Sequence, residues 1–235
     1  MLTIIIPCYN EKKTISEILV KVKKLDLDKQ VIVVDDCSSD GTSNILKEDL
    51  KNLYDKLIVK EKNEGKGSAI QSAKPFAKGD VVVIQDADLE YDPQDLIKIY
   101  NMYQNPTIDV VYGSRVLQKD RYSSSKFTNR HRVFFNHVLT SLSNLINNQN
   151  LTDAHTCYKS FRLKIFQVLP FKSKGFEFCP EVNSLLSKLN IQIKEVPISY
   201  NGRTYQEGKK IKISDGFVAI ITLLKVKFSK FNFTK

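Results

Sequence analysis

No two of the four cysteines, Cys8, Cys37, Cys157 and Cys179, form a CxxC pair. That spacing excludes a zinc ribbon and a thioredoxin-type redox motif. The chain does not open with a basic stretch, an apolar stretch and a small-residue cleavage site, so we expect a reducing, cytosolic setting. Long apolar runs are missing as well. The longest mostly apolar one, Phe217 to Leu224, falls far below the roughly 20 residues that cross a bilayer. No GxGxxG follows an apolar run, which excludes the dinucleotide fingerprint, and a P-loop ending at Gly65-Lys66 would need glycine where Lys60 stands. What is present is ordinary globular composition: 235 residues, 42% apolar and 26% charged. Disorder, collagen and coiled coil are excluded for the whole chain. The length suits one large α/β domain, or a domain with a small appendage.

Arginine is absent from residues 1–110, which carry 15 lysines against 19 acids, a net −4. Residues 111–235 carry 21 basic residues against 7 acids, a net +14. Such asymmetry points to a polyanionic partner for the second part: nucleic acid, a membrane surface or a phosphate. A solvated basic surface is the plainer alternative.

The first half repeats strand and helix. Leu2–Ile6, Val31–Val34, Leu57–Val59, Val81–Ile84 and Val110–Tyr112 are short, β-branched, continuous apolar runs at βαβ spacing. Continuous runs fit strands buried on both faces. Ile15, Ile18, Leu19, Val22 and Leu25 follow helical spacing, and Asp92-Pro93 opens another helix. The expected fold is α/β: an open, mostly parallel sheet with helices on both faces. In the second half, a Ser-rich stretch (Ser123, Ser124, Ser125) precedes a helix whose stripe is Phe135, Val138, Leu139, Leu142, Leu145 and Ile146. A helix near Pro180–Leu189, a strand near Ile191–Pro197 and a last helix over about 214–228 follow. We expect one domain over 1–235. Within it we separate residues 1–115, 116–213 and 214–235, the last a basic amphipathic segment suited to a lipid interface.

Ligands of open parallel sheets bind beyond the carboxyl ends of the strands. All five strand ends lead into polar loops: Pro7-Cys8-Tyr9-Asn10-Glu11, Asp35-Asp36-Cys37-Ser38-Ser39-Asp40-Gly41-Thr42, Asn63-Glu64-Gly65-Lys66-Gly67, Asp86-Ala87-Asp88-Leu89-Glu90 and Gly113-Ser114-Arg115. Polar turns explain one or two of these; five on one edge favour a site. Asp86 and Asp88, one residue apart as the chain leaves a strand, can both reach one cleft and suit Mg²⁺ or Mn²⁺. An aspartyl-phosphate phosphatase is a poorer fit, since its motif follows the first strand.

These segments together resemble the family-2 glycosyltransferases of the GT-A, Rossmann-like fold. From Gly113 on the chain is similar to the dolichyl- or polyprenyl-phosphate mannose and glucose synthases. The segments carrying that likeness are Gly113-Ser114-Arg115, Asp153 to Arg162, Gly175-Phe176-Glu177-Phe178, Val196 to Tyr200 and Arg203 to Lys210. Cys157-Tyr158-Lys159 departs from the Gly-Phe-Arg of many such synthases, and the membrane helices that several carry are not found here.

The resemblance implies an inverting, metal-dependent transfer of a hexose from GDP-mannose or UDP-glucose to a polyprenyl phosphate. It implies a peripheral place on the cytoplasmic face of a membrane, and no nucleic-acid partner. Pro7, Tyr9, Glu11 and Asp35 would hold the base and ribose, with Tyr9 stacking or merely packing. Gly65 and Lys66 would meet the diphosphate, Asp86 and Asp88 the metal, and Arg203 and Lys209 a flap over the donor. Asp36 and Asp40 read as turn formers. Arg115, Arg130 and Arg132 would bind the acceptor phosphate. Asp88, Glu177 and Arg115 are the candidate catalytic residues, Glu177 serving as a base or as a partner for a neighbouring cation. His137 and His155 read as structural. Two rival readings remain: transfer to a sugar hydroxyl, and a basic nucleic-acid-binding protein, although no RNP-like strand or helix-turn-helix pattern is present.

Overall fold

The computed structural model describes residues 1–117, 130–203 and 213–229, with the side chains at 130–132 and 213–214 left aside. The five expected strands form as β1 (Leu2–Cys8), β2 (Lys29–Asp35), β3 (Lys56–Val59), β4 (Val81–Ile84) and β5 (Val110–Ser114). Between them lie α1 (Ile15–Lys23), α2 (Thr42–Glu48), α3 (Lys66–Ala73) and α4 (Asp95–Met102). Then come α5 (Arg130–Asn147), β6 (Lys159–Arg162), α6 (Leu163–Val168), α7 (Phe178–Lys188), β7 (Ile193–Pro197) and α8 (Ile213–Phe228). The seven strands stand in the order β3-β2-β1-β4-β6-β5-β7. All run parallel except β6, which pairs antiparallel with β4 and β5.

Every residue of β1 and β4 is buried, as continuous apolar runs require. The chain steps outward from β1 to β3, then returns past β1 to form β4. Right-handed crossovers then set α1 and α2 on one face and α3 on the other. The strand order reverses between β1 and β4. That reversal opens a crevice beyond their carboxyl ends.

Two features of the second half have no signal in the sequence. Strand β6, Lys159-Ser160-Phe161-Arg162, carries no β-branched apolar run, so it gives no strand signal. It is held between two strong strands instead, with Lys159 and Ser160 fully buried. The stripe on α5 is covered only in part, with Leu139, Leu142 and Ile146 half-buried. Phe135, Val138 and Leu145 are exposed, while Thr140, Ser143 and Asn147 are buried. The reason is the irregular chain that α5 covers, whose backbone groups need partners. Thr140 Oγ1 accepts from Ala154 N at 3.3 Å, and Asn144 both accepts from Leu151 N at 2.9 Å and donates to Leu151 O at 2.8 Å.

Candidate functional site

The polar loops expected at the strand ends do meet on one edge, around the switch between β1 and β4. Among the described residues five non-glycine residues have positive φ, and three stand in these loops: Asn10 (φ 52), Cys37 (φ 63) and Leu89 (φ 62). Left-handed backbone at a bulky residue such as Leu89 is strained, and such strain collects at functional sites.

Asp35 is fully buried at the end of β2. Its Oδ1 accepts from Ser38 N and Ser38 Oγ, while Oδ2 is buried with no protein donor. An orphaned carboxylate oxygen at this place suits an N–H of a nucleobase or a ribose hydroxyl. Tyr9, half-buried, directly follows Cys8, the residue of β1 that pairs with Asp35, and Glu11 is buried at 7% exposure.

Asp36 is more than a turn former. It accepts from Gly65 N at 2.6 Å and Glu64 N at 3.1 Å, and pairs with Lys60 at 3.0 Å. It therefore shapes the glycine loop. The glycines there have a second use besides backbone approach to a diphosphate. A Cβ on Gly67 would lie 2.2 Å from Ser173 O, and one on Gly65, at φ +97, 2.7 Å from Lys174 O. The loop packs edge to edge against residues 173–175, and Ser68 N donates to Lys174 O at 3.0 Å. Asp36→Ala strands the N–H groups of Glu64 and Gly65 and leaves Lys60 with only Glu64 and Ser68 as partners. We expect a loss of about 3 kcal/mol in stability and a donor KM raised tenfold or more. Thermal melts and steady-state kinetics check both.

Four carboxylates and two cations meet in the middle of the cleft. Lys66 Nζ lies 2.5 Å from Asp86 Oδ1 and 3.5 Å from Cys157 Sγ. Burial works to lower Lys66, but Asp86 and Cys157 outweigh it and hold the ammonium well above its usual range. Arg203 reaches Glu11 at 3.2 Å, Asp88 at 3.0 Å and Glu90 at 3.5 Å. Burial, with the charges of Asp86 and Glu90, pushes Asp88 up to about 7 against the pull of Arg203. The cluster is short of positive charge, and a divalent cation is of the right sign and size for it. Among the described residues no three His, Cys, Asp or Glu side chains stand ready around one metal position. Asp86 and Asp88 would thus give part of a shell, which Mg²⁺ and Mn²⁺ ordinarily complete with water and substrate phosphate.

Just after β5, Arg115 is largely covered rather than open. Its Nε and Nη2 donate to the two oxygens of Asp153 at 2.6 and 2.8 Å, and its guanidinium sits 5.1 Å from the Tyr200 ring centroid. Glu177 Oε1 accepts from Lys174 N at 3.1 Å and Gly175 N at 3.0 Å, so this carboxylate braces its own loop. Arg130 and Arg132 lie in the first turn of α5, as expected, but their side chains, like all of Lys209 and Lys210, lie outside the described residues. His155 is buried, and burial followed by Lys159 lowers it to about 4. Sequence reasoning missed Glu90 and Tyr200 as members of the site. Tyr200 Oη donates to Glu90 Oε2 at 2.6 Å, and Tyr91 and Tyr200 stack edge to face. The aromatic spacing gave no signal, because the two tyrosines come from segments more than a hundred residues apart.

Residues 3–169 match the model of glycosyl transferase family 2. The chain is 27% identical to the UDP-N-acetylglucosamine–dolichyl-phosphate N-acetylglucosaminyltransferase of Methanococcus voltae, over 98% of this chain and 97% of that protein. It is 28% identical to the low-salt glycan biosynthesis hexosyltransferase Agl6 of Haloferax volcanii, over 86% of this chain and about half (48%) of that protein. Glucosyl-3-phosphoglycerate synthase from Mycobacterium tuberculosis, solved with Mn²⁺, uridine diphosphate and phosphoglyceric acid, superposes with a TM-score of 0.73 at 18% identity. That superposition covers 98% of this chain and 80% of the synthase. The likeness shows the fold, a mostly parallel sheet of the GT-A type. Because the family model spans well over half the chain, and the strand-end loops it covers are those that meet at the switch point, this protein belongs to glycosyl transferase family 2.

Proposed function

We propose that this glycosyltransferase moves a hexose, mannose or glucose, from a nucleoside diphosphate sugar to a polyprenyl phosphate, inverting the anomeric carbon. The work takes place at the cytoplasmic face of a membrane, which the protein approaches from the side; among the described residues no helix is long and apolar enough to cross one. Residues 1–115 serve the donor and the residues after them the acceptor. Tyr9, Glu11 and Asp35 take the nucleoside. Lys66 and Arg203 are cations at hand for the diphosphate. Asp86 and Asp88 hold Mg²⁺ or Mn²⁺, which when bound neutralises charge on the departing nucleoside diphosphate.

The observation that carries the acceptor is the state of the acids on that side. Asp153 is taken up by Arg115, and Glu177 by two backbone N–H groups. A sugar hydroxyl needs a general base, typically worth ~10²–10⁴ in rate. A phosphate monoester is an anion at pH 7 and needs none. Its oxygen attacks the anomeric carbon from the face opposite the diphosphate, and the bond to the nucleoside diphosphate breaks. Likeness over nearly the whole chain to a transferase named for dolichyl phosphate supports the same acceptor class. That relative's donor, UDP-N-acetylglucosamine, belongs in the test set beside GDP-mannose and UDP-glucose.

The test compares two kinds of variant. Arg130→Ala and Arg132→Ala should raise the acceptor KM tenfold or more and leave donor binding intact, as loss of a phosphate-binding cation does. Glu177→Gln should cost less than tenfold in kcat. A loss of ~10³ for Glu177→Gln with a vanished acid limb, and full activity of the arginine variants, would move the acceptor to a sugar hydroxyl.

A further inference from the structure

Helices α5 and α8 pack against each other and turn apolar side chains outward. On α8 the core side is Ala219, Leu223 and Val226. Its other side carries Phe217, Ile221 and Phe228, exposed at 68%, 64% and 83%. These fall on one helical face, so α8 is apolar inside and out. On α5 the exposed side carries Phe134, Val138 and Leu145, the last at 81% exposure, because its polar side is turned in to serve the loop beneath. No charged residue occurs from 133 to 147, nor from 216 to 224. A water-facing helix pair in a chain that is 26% charged would not look like this.

We propose that this two-helix face docks on an anionic lipid surface, with α5 and α8 lying in the plane of the interface. The charges around it select that occupant. Lys225 and Lys227 are exposed in the last turns of α8, and Arg130 and Arg132 begin α5. Residues 111–235 carry a net +14. A second copy of the chain would set this positive rim against itself, whereas anionic headgroups oppose it with the matching sign. The face also adjoins the acceptor side. Asn136 on α5 donates to Asp153 at 3.3 Å, the acid that holds Arg115. The inference deepens the polyprenyl-phosphate reading and rests on it for its purpose: a phosphate carried by lipid would arrive beside the cleft.

Flotation with phosphatidylcholine vesicles, with and without phosphatidylglycerol, tests the docking. The whole chain should float with the anionic vesicles at low salt, at least tenfold more weakly with the neutral ones, and less as salt rises. Phe217→Ser/Ile221→Ser and Leu145→Ser remove only exposed side chains, so melting should be unchanged. Their vesicle affinity should fall tenfold or more. Activity on a short, water-soluble isoprenyl phosphate should survive in both variants, while activity on a long-chain polyprenyl phosphate in vesicles is lost. Three results overturn the docking: no binding of wild type to anionic vesicles, unchanged binding of the variants, or a dimer in sedimentation that the variants dissolve while vesicles are ignored. Wild type that floats through this face yet uses no isoprenyl phosphate of any length leaves the docking intact and overturns the acceptor reading instead.

Discussion

Asp86→Asn and Asp88→Asn are each expected to lower kcat by ~10³ or more, with the fold kept. The two carboxylates leave β4 side by side, and both are partly exposed, at 21% and 18% of the side chain. Asparagine preserves shape and removes the charge that a divalent cation would meet. The loss should therefore appear in turnover and in Mn²⁺ binding measured by calorimetry, not in the far-UV spectrum. Chelation of the wild type with excess EDTA should give the same loss and be reversed by Mg²⁺ or Mn²⁺. Full activity of either variant, or of wild type in EDTA, removes the metal from the proposal. Stability gives an independent readout at Asp88, whose carboxyl burial and the charges of Asp86 and Glu90 raise to about 7. Between its ordinary value near 3.8 and about 7, the native state binds more protons than the unfolded one. Stability from this group is therefore lost as pH rises through that window. Asp88→Asn should flatten this slope and melt at the same temperature as wild type at pH 8, or slightly above it.

Asp153→Ala is expected to be the most damaging single change to the fold. Asp153 is fully buried and joined to Arg115 at Nε, Nη2 and the backbone N. Burial works to raise the carboxyl, but Arg115 overrules it and holds Asp153 well below the usual carboxylate range. Removing the acid leaves a guanidinium with 15% exposure and no counter-charge. Breaking a buried pair in this way costs about 3–5 kcal/mol. In a chain of this length each kcal/mol is roughly 2–4 °C of Tm, so a drop of about 6–20 °C is expected. Arg115→Lys should restore only part of the stability that Arg115→Ala loses, because an ammonium cannot make the two-pronged contact. Because Asp153 titrates below its unfolded value, the pair contributes above the ordinary carboxylate range and is lost only as the pH falls through the depressed one. A variant melting within about 2 °C of wild type would show that Arg115 finds another partner and that the pair is not what holds residues 114–115 to 152–153.

The first half of the fold and the outline of the site were legible in residues alone. Five continuous apolar runs at βαβ spacing specify parallel strands, and their polar ends specify where a ligand binds, because both follow from local pattern and one topological rule. Asp86, Asp88, Glu11 and Lys66 all fall in such loops, and the structure brings them together through Lys66 and Arg203. Tertiary packing decided the rest. Strand β6 has no strand pattern of its own and exists because β4 and β5 offer paired edges. Arg203 comes to Glu11 across 192 residues and Tyr200 to Glu90 across 110, contacts that no spacing rule contains. Arg115 reads in sequence as an open cation and is found locked to Asp153, since charge alone does not say whether a guanidinium meets solvent or a buried acid. The helix at Arg130–Asn147 shows the limit most clearly. Its apolar stripe is at most half-buried, while the fully buried positions are polar, since the irregular chain beneath it needs hydrogen-bond partners.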